Sequence, residues 1–134
     1  MVIWGLNTSP NCCLCDLELE YRDHLFILCE VSTAIWNMIF SRLGYSHLTL
    51  TSWTSLQQWL SRKDSTSPRT LKRLAAQVTI YSIWTERNKR LHEGVMATPE
   101  STFKLIDRHV RDVILGRRNR KNFMNLMLCW LRHE

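Results

Sequence analysis

From Val31 onward the apolar residues recur at helical spacing. Val31, Ile35 and Ile39 form one stripe at four-residue steps, and Trp36, Phe40 and Leu43 form a second beside it. Together they predict a core-facing helix of about 12 residues, with Ser32 or Thr33 near its start and Gly44 as its stop. A shorter helix is expected around Leu56, Trp59 and Leu60. Residues 61–68, SRKDSTSP, have the composition of a linker. The strongest periodicity covers residues 68–92, where Leu71, Leu74, Val78, Tyr81, Trp84, Asn88 and Leu91 follow three- and four-residue steps. Ser67 is placed to cap that helix, and Pro68 suits its first position. Gly94 breaks the pattern, and Thr98, Pro99 and Glu100 restart it with a cap, a first-turn proline and a first-turn acid. Phe103, Ile106, Val110, Val113 and Ile114 give the new helix its apolar face, and Gly116 ends it. Residues 123–131, FMNLMLCWL, are apolar nearly all round, so periodicity leaves helix and strand both open. The pattern as a whole predicts a mainly α protein, a bundle of about four to five helices.

The amino-terminal stretch follows no such period. Residues 7–11, NTSPN, read as a loop, and residues 12–28 are too short and too polar for a core of their own. They hold Cys12, Cys15, His24 and, one position on, Cys29, spaced C-x2-C-x8-H-x4-C. A C-x2-C pair closes a short turn with both sulfurs to one side, and H-x4-C returns a second pair across the same centre. Three thiolates and an imidazole satisfy tetrahedral Zn2+ and leave no corner for water, which makes the expected site structural rather than hydrolytic. Around the metal, CCLC is expected to turn tightly and YRDHLFIL to run partly extended. Cys13 is an alternative first ligand, although the spacing favours Cys12. Cys129 lies inside an apolar run and reads as core.

Composition adds a partner class. The chain has 134 residues, enough for one domain with a single core, and six tryptophans to fill it. Residues 1–44 are expected to form a zinc-binding segment with the first helix. Residues 45–134 are expected to form a basic helical region continuous with it. No apolar run approaches the ~20 residues that span a membrane, and no signal peptide is recognisable. The protein is therefore expected to be soluble and intracellular, in the nucleus or cytoplasm. Reduced thiols are then the default, and the five cysteines are an odd number for internal pairing. The formal charge of +6 is uneven: residues 1–66 hold four Lys or Arg against six Asp or Glu, and residues 67–134 hold fourteen against six. A basic half of this kind favours polyanionic partners.

The stretch CCLCDLELEYRDHLFILCEVSTAIW resembles the zinc-binding domain of reverse transcriptases from plant non-LTR retrotransposons. The family's C-x2-C pair falls on Cys12 and Cys15, its acid on Glu20, its His-Leu-Phe on His24, Leu25 and Phe26, and its later Cys and Trp on Cys29 and Trp36. A segment like VIWGLNTSPN commonly precedes the first cysteine. A helical W-x-E-R-N segment follows downstream, here Trp84, Glu86, Arg87 and Asn88, with Lys89 and Arg90 behind. The resemblance covers about residues 3–92 and weakens beyond Gly94. It implies a zinc-dependent fold and a role in gripping template RNA or target DNA. The family's amino-terminal stretch is mostly missing, so Met1 reads as a start inside a longer ancestral frame, and the family's polymerase and endonuclease domains are not in this sequence.

Catalytic machinery is not recognisable. There is no H-E-x-x-H, Walker glycine loop, G-x-S-x-G or dinucleotide fingerprint. His47, His92, His109 and His133 stand without an acid–nucleophile constellation, and the chain is expected not to be an enzyme, with no small-molecule substrate and no membrane partner. A thiol oxidoreductase would need an exposed, low-pKa Cys12 or Cys15 in a βαβ setting that the pattern lacks. Three basic clusters are candidates for phosphate contact: Arg69, Lys72 and Arg73; Arg87, Lys89 and Arg90; and Arg117, Arg118, Arg120 and Lys121. Asn88 suits either a base edge or the helix bundle, and Trp84 either a stacking platform or the core. The expected function is a zinc-binding, non-catalytic module that binds RNA or DNA through its basic helices. The alternative is a structural or protein-interaction scaffold, or a retrotransposon relic, without that binding.

Overall fold

The computed structural model describes residues 11–16, 19–46 and 48–134. The expected mainly α architecture is found: a small Cys/His segment followed by a helical bundle. The chain runs through a π-helical turn, His24–Leu28, then helices α1, Glu30–Leu43; α2, Trp53–Ser61; α3, Arg69–Glu93; α4, Pro99–Gly116; a 3-10 turn, Lys121–Phe123; and α5, Leu126–Leu131. Among the described residues the only β pairing is one antiparallel bridge, Asn11 with Leu19, which closes the base of the cysteine loop. No helix among them is long and apolar enough to cross a membrane.

α3 is the central element, packed against α1, α2, α4, α5 and the π turn. It buries Leu71, Ala75, Thr79 and Ile83 at four-residue steps, with Leu74 and Val78 alongside. That face is rotated from the stripe read in the sequence: Tyr81 is 61% exposed, because neighbours on several sides choose which of the apolar positions go inside. α1 ends as anticipated at Gly44, whose φ of 93° is the left-handed conformation that glycine tolerates. The Tyr45 amide donates to the Phe40 carbonyl at 2.8 Å and the Gly44 amide to Ser41 at 3.2 Å, a Schellman closure. α4 has its Thr98 cap, with the Ser101 amide donating to Oγ1 at 3.0 Å, and buries Ile106, Val110 and Ile114.

Several expectations change. The stretch containing His24 is not extended. Its amides fold back through wide turns, with Cys29 N–H to the His24 carbonyl at 2.6 Å, and Leu25, Phe26 and Ile27 are left with carbonyls outside a regular ladder. α1 supplies the missing donors. Ser32 Oγ donates to Leu25, Thr33 Oγ1 to Ile27 at 3.2 Å and Trp36 Nε1 to Phe26 at 2.7 Å. Ser32 and Thr33 therefore satisfy the preceding turn rather than cap their own helix. Ser67 does not cap α3 either, because its hydroxyl reaches the Leu43 carbonyl at the end of α1, 2.9 Å away. Residues 123–131 hold a short helix that buries Leu126 and Trp130 on one side and leaves Leu128 69% exposed.

Candidate metal centre

The first two ligand candidates sit on a tight turn. The Asp16 amide closes it on the Cys12 carbonyl at 2.7 Å, and Asp16 takes a left-handed φ of 55° to leave it. The second two lie at the ends of the π turn. Its wide hydrogen bond spans five residues, which matches the H-x4-C spacing, and α1 holds its carbonyls as described. The ligand-bearing backbone is thus positioned by one turn and one helix start.

The donor atoms of Cys12, Cys15, His24 and Cys29 all lie within 4.8 Å of one another. Cys12 and Cys29 sulfurs are 3.9 Å apart, and Cys15 Sγ is 3.3 Å from His24 Nε2. A tetrahedral zinc with sulfur bonds of ~2.3 Å and a nitrogen bond of ~2.0 Å has sulfur–sulfur edges of ~3.8 Å and sulfur–nitrogen edges of ~3.5 Å. Both measured edges fit. Cys12, His24 and Cys29 are buried, and Cys15 is half-buried.

The electrostatics fit a cation as well. The hydrogen bond shared with Cys29 draws the Cys12 thiol down to about 5, outweighing burial, with help from the Cys15 and Leu14 amides and the nearby His24. The same shared hydrogen bond, and then burial, push the Cys29 thiol upward. Two buried cysteine sulfurs 3.9 Å apart suit a divalent cation, which neutralises both thiolates when it replaces their protons. Backbone amides of Val31 and Ser32 also favour the Cys29 thiolate. Cys13 is set apart: its thiol donates to the Arg87 carbonyl at 3.4 Å, and burial followed by the Glu20 charge raise it to about 11. Of the two neighbouring cysteines, it is the Cys12 sulfur that lies within 4.8 Å of the other three donors. Cys129 is half-buried in α5, packs against the core and is not among the clustered donors.

The candidate phosphate contacts divide. Arg87 is buried, and its Nε and Nη2 donate to Glu20 Oε1 and Oε2 at 3.1 and 3.0 Å. Arg90 donates through Nη1 to the Leu14 carbonyl at 2.6 Å and through Nη2 to Ala97 at 3.1 Å. The expectation that these two guanidiniums face a phosphate backbone is corrected: both are turned inward and spent on the protein. Lys72, expected in a basic surface cluster, is fully buried. Lys89 is half-buried, while Arg117, Arg118, Arg120 and Lys121 are all exposed. Asn88 accepts from Arg87 Nη1 at 2.8 Å, and Trp84 stacks on Phe26 with ring centroids 6.4 Å apart, so both serve the interior. His92, His109 and His133 are exposed, and His47 lies outside the described residues. The resemblance singles out Glu20 and Arg87 separately, but no local pattern pairs them, since they stand 67 positions apart.

Fold and site define a class: a helical protein whose amino-terminal segment gathers a closed Cys3His donor set. Residues 1–36 match the family described as zinc-binding in reverse transcriptase, and it is this segment, not the whole chain, that is similar to it. No curated protein and no solved structure matches the chain.

Proposed function

We propose that the chain is a non-catalytic module in which zinc fixes residues 11–36 and the exposed basic turn after α4 grips single-stranded nucleic acid. Zinc supplies a four-armed cross-link, and with all four corners occupied by protein it supplies no reactive water. The observation that carries the nucleic-acid reading is the state of the turn. Arg117, Arg118, Arg120 and Lys121 are exposed, and none pairs with a carboxylate among the described residues. Elsewhere four acids, Glu20, Asp64, Glu86 and Asp107, each hold an Arg or Lys. Arg117 and Arg118 sit at the negative end of α4, which stabilises cations on its own account. Arg120 and Lys121 lie beyond it, and the accumulated charge displaces counterions from a phosphate backbone.

Two measurements test this. Protein purified without chelator should contain one zinc per chain, and His24→Ala with Cys29→Ser should remove it. Fluorescence anisotropy with labelled single-stranded RNA and DNA should show affinity falling steeply with salt. Replacing Arg117, Arg118, Arg120 and Lys121 with alanine should flatten the log–log slope by about 0.7 for each phosphate that is no longer neutralised. Absent or salt-independent binding returns these side chains to the role of a solvated surface and leaves a zinc-stabilised scaffold or a relic.

A further inference from the structure

We propose that Arg87 and Arg90 of α3 are positioning residues of the metal centre, which is therefore a two-part assembly closed by the carboxyl-terminal end of α3. The proposal rests on the metal reading above. Among the described hydrogen bonds, neither arginine reaches a ligand atom. Each holds a stretch of backbone between two ligands.

Arg90 acts on the first pair. Its Nη1 donates to the carbonyl of Leu14, which lies in the turn between Cys12 and Cys15, at 2.6 Å. The guanidinium is itself fixed on its other side by the Ala97 carbonyl at 3.1 Å, and Glu86 lies 3.7 Å from its Nε. Glu86 also accepts the Ala97 amide at 3.0 Å, so the segment after α3 braces the arginine that braces the turn.

Arg87 acts on the loop between the pairs. Its fork on Glu20 is bidentate, with the two side chains only 4% and 5% exposed. Glu20 lies between Cys15 and His24, beside the bridge that joins Leu19 to Asn11. The Arg87 carbonyl accepts the Cys13 thiol, beside Cys12. Its guanidinium lies over the Trp84 ring at 5.1 Å, and Trp84 stacks on Phe26 inside the π turn between His24 and Cys29. About two turns of α3, from Trp84 to Arg90, thus contact all three spans that separate the four ligands.

The physical consequence follows from burial. Separating Glu20 from Arg87 would break a bidentate fork between two buried charged side chains, which is strongly unfavourable. The pair therefore forms only when the cysteine loop is docked on α3, and docking holds the four donors near their ligating positions before the ion arrives. Supports at one remove from a metal typically change its affinity 10–100-fold.

The test uses the full chain. Zinc affinity is measured by competition with a chromophoric chelator, and Co2+ loading gives the ligand-field spectrum of the site. Arg87→Met, Glu20→Gln and Arg90→Met should each weaken zinc 10–100-fold and shift or broaden the cobalt bands. The double variant Glu20→Gln/Arg87→Met should lose no more than either single change, because the two act as one unit. Arg87→Lys, which keeps the charge and loses the fork, should fall between. Trp130→Phe, in α5 and away from the site, serves as the control for general destabilisation and should leave zinc affinity and the cobalt spectrum unchanged. Circular dichroism on each variant confirms that the helices are intact, and Arg90→Met is the milder probe if the buried pair proves essential for folding. Zinc affinities within twofold of wild type in Arg87→Met and Arg90→Met overturn the proposal, as does an equal loss in Trp130→Phe. Wild-type protein that binds no zinc overturns the metal reading itself, a result distinct from either.

Discussion

At the residue scale, the chain resolves its buried charges by surrounding each with donors or acceptors rather than by exposing them. Lys72 is the clearest case. Its ammonium donates to the Trp59 carbonyl at 2.8 Å, the Arg62 carbonyl at 2.7 Å and Asp64 Oδ2 at 3.2 Å. Asp64 in turn accepts the Tyr45 hydroxyl at 2.8 Å and the Thr66 and Ser67 amides at 2.9 and 3.2 Å. What reads as a polar linker is therefore a loop wound around one carboxylate. Burial alone would raise the Asp64 carboxyl, but the hydrogen bonds from Tyr45, Ser67, Thr66 and Lys72 outweigh it and bring it down to about 2. The unfolded value is ~3.9. A depressed carboxyl contributes stability that is fully present above the unfolded pKa and disappears as pH falls through the folded one. Asp64→Asn should cost about 2–3 kcal/mol near neutral pH, since hydrogen bonds to a charged group are removed and the Lys72 charge is left short of a counterion. The difference between wild type and variant in urea unfolding should shrink between pH ~4 and ~2. Acid loss of metal is common to both proteins and drops out of the comparison; a difference that stays constant across that window would refute the assignment.

Elements are joined here by side chains that cross between helices. Asp107 on α4 receives Arg42 of α1 at 2.8 Å, Arg111 one turn on at 2.9 Å and the Trp130 indole of α5 at 2.8 Å. Those donors, against the raising effect of burial, hold its carboxyl below the usual range. Arg42 also lies over the Trp130 ring at 4.9 Å. A helix as short as Leu126–Leu131 has no stability of its own in water, so its existence depends on this docking. Trp130→Phe removes one charge-assisted hydrogen bond and should cost about 1–2 kcal/mol. Trp130→Ala also removes a fully buried ring and should cost about 3–5 kcal/mol. Amide exchange should rise first in α5 in both variants; uniform loss of protection across the bundle would show that α5 is not a separable unit. Helix limits at Gly44, Thr98 and Pro99 were legible in the sequence because a cap or a left-handed residue acts locally. The π turn was not legible, because its carbonyls are satisfied by Ser32, Thr33 and Trp36 from the next helix. The ambiguity of residues 123–131 had the same origin: an apolar run becomes a helix or a strand according to what it packs on.

On the scale of the whole molecule, two bodies of structure meet along α3. One is the helical core built from α1, α3, α4 and α5. The other is the cysteine loop, which has little regular hydrogen bonding of its own. Chelation of zinc should therefore act locally. Helical circular dichroism should be largely retained, while hydrogen exchange accelerates across residues 11–29 and the last turns of α3. A single cooperative loss of all helices on chelation would show instead that the metal holds the entire fold.

The sequence alone determined which four donors are candidates for a metal, the helical class and most helix ends, because cysteine spacing, apolar period and capping residues exert their effects within a few positions. It also located the basic excess in the second half. Only the tertiary structure decided which cations remain available. Arg87, Arg90 and Lys72 look like surface charge when read along the chain, yet folding brings each against a carboxylate or carbonyl from another segment. Pairing across 67 positions is a property of three-dimensional proximity, which no local pattern encodes.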